Sequence, residues 1–220
     1  MSMGRLLVVF TAALALAGAA AAGTTDHNQV KLTAADQAVA KKIVIKPSDL
    51  GTGWSGGAVK PDLNDALVCA NYHPKQSDLV LTGAAESKYA VTGAQVDSVA
   101  QVFRTADMVA TDWHRSVLNP QLVSCLRETL AGNLTPSQTI ASIGRIAFPQ
   151  GHGILAREYR TVLNVTSSTG STAKGIVDLI VFTRGRSELS LTTVGSYDQR
   201  ASIARVERVL VGVMLMRATA

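Results

Sequence analysis

The sequence predicts a single α+β domain, an antiparallel sheet packed with helices in an αβα-type sandwich. Three observations carry this reading. The 220 residues and 47% hydrophobic content are enough for one core. Strand-like and helical periodicities occur in separate blocks along the chain. In the second half, strand-like runs follow one another across short turns, as in an antiparallel meander. No internal repeat is visible. Charged residues make up 17%, and no long stretch lacks apolar side chains, so the composition is not that of a disordered chain.

The N-terminus reads as an export signal. Arg5 supplies a positive charge, Leu6 to Leu16 is a nearly unbroken apolar run, and small residues follow to Gly23. That order, with cleavage near Ala22 or Gly23, describes a secretory signal peptide over residues 1–23. The apolar run is shorter than the ~20 residues of a membrane span, so no stable anchor is expected after cleavage. No cysteine stands at the cleavage point to take a lipid. Residues 24–32 read as a flexible leader, and residues 33–220 as the domain.

Thr33 is placed to cap a helix running to about Lys42, with Asp36 in its first turn and Lys46-Pro47 closing it off. Residues 48–95 read as irregular, rich in Gly, Pro, Asn and Asp up to Thr82, and anchored by Trp54 and Cys69. Val96, Ser98, Ala100 and Val102 then alternate with Asp97, Val99, Gln101 and Phe103 as a strand. Thr105 caps a helix whose apolar positions are Val109, Trp113 and Val117. Asn119-Pro120 ends it, with Pro120 opening another helix. On that helix Leu122, Cys125, Leu126 and Leu130 share a face, and Gly132 stops it. Strands follow at Ile154 to Val165 and Ile176 to Thr183, with a turn at Ser167 to Thr172. Arg184-Gly185 reads as a hairpin turn into Ser187 to Val194. A last helix from about Asp198 carries Ile203, Val206, Leu210 and Val213 as its inward stripe.

In an exported chain the two cysteines, Cys69 and Cys125, are expected to pair. Closing that loop stabilises by on the order of 4 kcal/mol in the chain-entropy model. The bond would tie the irregular segment to the inward face of a helix. The net charge of +5 is scattered along the chain, which fits a solvated surface rather than a nucleic-acid site.

Chemistry-bearing motifs are sparse. No Gly-x-Ser-x-Gly elbow, HExxH, EF-hand loop or phosphate-cradling glycine motif occurs. The Ser-x-x-Lys pattern from Ser171 to Lys174 falls in a turn. The four histidines, His27, His73, His114 and His152, lie in or beside loops or on a polar helix face. No cofactor, metal site or catalytic residue is expected. Asp178 interrupts an apolar strand between Ile176 and Ile180, opposite Leu191 if Arg184-Gly185 is the turn. A buried carboxylate needs a partner or keeps its proton. Asp178 is therefore a ligand contact, the partner of an arginine such as Arg157 or Arg160, or a residue nearer the sheet edge than the apolar run implies. Trp54 and Tyr159 are the other candidate ligand contacts, with packing as Trp54's alternative role.

The order Ser48-Asp49-Leu50, Trp54, an early cysteine, a strand ending Val102-Phe103, a helix with Ala106, Ala110 and Trp113, and then Cys125 resembles a known pattern. It is similar to small exported actinobacterial proteins related to the extracellular sensor domains of mycobacterial membrane serine/threonine kinases. The resemblance implies a PsbP-like α/β sandwich with a cleft, ligand binding, and no established catalytic activity. Those sensor domains usually have two disulfides, whereas one is possible here, and neither an attached kinase nor a membrane anchor is expected. The expectation is a secreted, monomeric, non-catalytic domain of the bacterial cell envelope binding a small molecule or an envelope protein. The alternative is a secreted hydrolase drawing on Asp178, Glu158, Glu188 and the histidines.

Overall fold

The computed structural model describes residues 26–63, 67, 69–149 and 154–218. The signal peptide expected over 1–23 and His152 lie outside them. The elements in chain order are β1 (Gln29–Val30), α1 (Ala34–Ile43), β2 (Ser55–Val59), β3 (Val80–Val91) and β4 (Ala94–Phe103). Next come α2 (Ala106–Asp112), a π-turn (Trp113–Val117), α3 (Leu122–Asn133) and β5 (Gln138–Ile146). The chain closes with β6 (Ala156–Thr166), β7 (Thr172–Arg184), β8 (Ser187–Ser196) and α4 (Arg200–Ala218). Both predicted caps form: Thr33 Oγ1 accepts the Asp36 N–H at 3.1 Å, and Thr105 Oγ1 accepts the Met108 N–H at 3.2 Å. The helix after Pro120 begins two residues later than expected, because Asn119 Oδ1 takes the Gln121 N–H at 2.9 Å and holds a turn there.

The fold is α+β: the described residues form one sheet of eight strands with four helices. Its order is β1-β3-β4-β8-β7-β6-β5, with β2 also on the β3 edge. Every ladder is antiparallel except the short parallel pair of β1 with β3. Helices α1 and α4 cover one face. There Ile43, Ala100, Ile180, Phe182, Leu191, Leu210 and Met214 form the main core. Helices α2 and α3 lie over the other face with two smaller clusters, one around Phe103 and Val109 and one around the two cysteines. Burying both faces of β7 explains its nearly continuous apolar run. Among the described residues no helix is long and apolar enough to cross a membrane.

Four expectations are corrected. The leader is not free throughout: Gln29 and Lys31 donate to the carbonyls of Leu79 and Leu81, both at 2.9 Å, which satisfies the edge of β3. The irregular segment 48–95 holds β2 and the 12-residue β3. Its Gly83 stands against the backbone of Asp36 in α1, so small residues replace the large apolar ones that mark a strand. The hairpin turn is Gly185-Arg186, with Arg184 opposite Ser187. Arg186 is fixed there by Asp36 Oδ1 at 2.7 Å and by the Phe103 carbonyl at 3.0 Å. Asp178 therefore faces Thr193, not Leu191. Finally, α4 is rotated from its expected stripe. Glu207, Leu210, Val211 and Met214 are buried, while Val206 is 45% exposed.

Candidate functional site

Strand registers set two polar-to-apolar rows side by side on the face beneath α3. The first runs Asp97, Thr192, Leu179, Tyr159 across β4, β8, β7 and β6. The second runs Gln95, Val194, Val177, Thr161 across the same strands. All eight line a cleft of about 530 Å³. Leu126, Thr129 and Leu130 of α3 form its roof, and Lys88 with Ser55-Gly56 closes the β2–β3 end. The volume lies within the ordinary range of small-molecule sites, ~300–1,000 Å³.

The roof stands off the sheet because its N-terminal half is pinned. Cys125 is bonded to Cys69, 56 residues earlier, as the sequence predicted. Tyr159 rises from the floor to donate its phenol to the Val117 carbonyl at 2.8 Å, and Tyr72 donates to the Ser116 carbonyl at 3.3 Å. Leu122, Cys125, Tyr72 and Tyr159 pack into one buried cluster there. The space lies beneath the next turn of α3.

The cleft's charged groups sit at one end. Lys88 and Asp97 are directly opposite across β3 and β4, with Glu86 two residues along on the same face. Lys88 Nζ is 2.7 Å from Glu86 Oε1 and 3.4 Å from Asp97 Oδ2. Burial, with Glu86 adding to it against the pull of Lys88, pushes the Asp97 carboxyl up to about 6. Asp97 Oδ1 accepts no hydrogen bond.

The candidate contacts Trp54, Asp178 and Tyr159 do not come together. Tyr159 is part of the cleft floor. Trp54 packs against the main core on the opposite face. Asp178 points to that same face, fully buried, and its partner is Arg160, one of the two arginines proposed for it. Around it the structure gathers Glu158 and Glu207, with carboxylate oxygens of the three all within 4.8 Å of one another. Thr193 Oγ1 donates to Glu207 at 2.5 Å. Burial, then the neighbouring Asp178, raises Glu158 to about 7; burial likewise raises Glu207 to about 7. Three carboxylates could ligate a cation, but both oxygens of Asp178 are already given to the guanidinium. The cluster is sealed beneath α4, each carboxyl residue at most 4% exposed. Glu188 lies apart on the cleft side of the sheet, held up in pKa by burial beside Asp112.

Lys88, Asp97 and the roof of α3 are the site residues that sequence reasoning missed. On an alternating strand Asp97 occupies the polar register and reads as a solvated side chain. Its place in a cleft depends on α3 spanning that face from elsewhere in the chain.

No family model matches the chain, and no curated protein matches it. Among solved structures, an uncharacterised protein from Mycobacterium smegmatis is similar, with a TM-score of 0.45 and 10% identity, covering 82% of this chain and 98% of that one.

Proposed function

We propose that this chain is a secreted, non-catalytic binding domain of the bacterial cell envelope that holds a small molecule in the cleft between α3 and the sheet. The cleft itself carries the reading: about 530 Å³, floored by Val177, Leu179 and Val194, with charges confined to one end. The disulfide and the N-terminal signal pattern support an extracytoplasmic location. The resemblance to kinase sensor domains points the same way.

Hydrolysis is the weaker reading. Catalytic carboxyls need access to a substrate. Glu158 and Asp178 do converge, but beneath α4 and away from the cleft, with Asp178 committed to Arg160. The ionisable residues lining the cleft are Lys88, Asp97, Tyr89 and Tyr159, the last with its phenol already donated to a backbone carbonyl.

Native and denaturing mass spectrometry of the protein exported by its own host tests the proposal. The expected result is an added mass under native conditions alone, lost in Leu179→Trp, whose indole fills the floor. A folded wild-type protein without any added mass argues against a tight small-molecule carrier.

A further inference from the structure

The charge balance at the β3–β4 end of the cleft selects among ligands; this step rests on the cleft being a ligand site. Two carboxylates, Glu86 and Asp97, share one ammonium, that of Lys88. The ammonium is closer to Glu86, at 2.7 Å against 3.4 Å, and Asp97 Oδ1 receives nothing. Asp97 Oδ1 is itself buried, but the side chain retains 32% of its surface and lines the cleft, so the surplus charge shared over the carboxylate is presented to an occupant at its other edge. Of the described residues lining the cleft, Lys88 and Asp97 are the charged ones. An anionic head would meet two carboxylates sharing a single lysine that is already engaged. A cationic head at the accessible edge of Asp97 would compensate the whole group, because charge is shared between both oxygens.

From Asp97 the floor continues through Thr192 and Leu179 to Tyr159, four adjacent strands. Three strand spacings give a length of roughly 14 Å. Beside it lie Val194 and Val177, and above it Leu126 and Leu130. We propose that the cleft takes a long-chain aliphatic amine, its ammonium on Asp97 and its alkyl chain lying under α3 along the row toward Tyr159.

The test is titration of the disulfide-intact protein at pH 7.5 with dodecylamine, dodecanol and dodecanoate, each below its micellar concentration. The amine should bind at least tenfold more tightly than dodecanoate, although a chain of net charge +5 would attract the anion at long range. Asp97→Asn should erase that preference while still binding dodecanol, which reports an intact cleft, and Gly144→Ala, outside the cleft, should keep the preference. Binding of dodecanoate as tight as the amine, or an amine preference that survives in Asp97→Asn, overturns the amine assignment while leaving the cleft as a ligand site. Binding of none of the three overturns the assignment together with the reading of the cleft.

Discussion

Arg160 on β6 faces Asp178 on β7 and is joined to it twice, Nε to Oδ1 at 2.7 Å and Nη2 to Oδ2 at 2.6 Å. Asp178 has no exposed surface, so this guanidinium is what allows a carboxylate in the middle of an apolar strand. Removing one partner leaves the other charge buried and alone. Arg160→Met is expected to lower unfolding free energy by about 3–5 kcal/mol in urea titrations. Arg160→Met combined with Asp178→Leu should recover most of that loss. A double variant no more stable than the single one would mean that the ion pair is not the source of the cost.

One guanidinium serves three carboxyls there, and the other charge facing Glu158 is Arg208 of α4. Glu158 and Glu207 reach about 7 in the folded protein, against about 4.3 in an unfolded chain. The native state thus holds protons that the unfolded chain releases. Their contribution is full below about pH 4.5 and is lost as the pH rises through about 7. On the acid side, hydrogen bonds from Arg186 hold Asp36 below its usual value. That contribution is present above the unfolded aspartate value and falls away in acid. Melting temperature should therefore peak in mildly acidic solution. Glu207→Gln should flatten the decline toward neutral pH; an unchanged pH profile in that variant would count against the cluster as its source.

Gly83 lies where α1 crosses β3, and a Cβ there would overlap the Asp36 backbone. The atoms it would meet, from Asp36 and Gln37, are all main chain, so none can swing aside. Gly83→Ala is expected to destabilise by about 1–3 kcal/mol as an overpacked contact. Gly144→Ala, where a Cβ meets nothing within 4 Å, is the control, and thermal melts of the two should separate clearly.

The Cys69–Cys125 bond closes 56 residues and pins the roof of the cleft. Reduction should lower stability by at most about 4 kcal/mol. It should also weaken ligand retention, because α3 loses its tie to the segment carrying Tyr72. A urea midpoint that does not move on reduction would rule out the first effect; native mass spectra of reduced, still folded protein address the second.

Local signals were legible where a side chain acts on its own turn of backbone. Thr33 and Thr105 cap the helices they were expected to cap, and Trp113 at helical spacing is 2% exposed. Asp178 could be read as needing an arginine because desolvation makes the same demand of any buried carboxylate. Strand β3 was hidden because Gly83 makes room for α1 and Ala84 and Ala85 after it are small too, so the residues do not alternate in size. Glu207 was hidden because an acid on an amphipathic helix reads as solvent-facing. Thr193 and Asp178, brought up from two strands, and the nearby Arg160 make its burial possible.

The sequence by itself determined the α+β class, the helix caps at Thr33 and Thr105, the cysteine pair and the demand for a partner at Asp178, since each follows from local backbone chemistry, burial or composition. Tertiary structure decided the register and hence the site. Asp36 and the Phe103 carbonyl hold Arg186 so that the hairpin turns one residue later, which puts Thr193 opposite Asp178 and Thr192 beside Asp97. The cleft exists because those rows pass under a helix fastened by Cys125 and Tyr159. These are contacts between residues far apart in the chain, and their geometry is set by the packed whole rather than by any one segment.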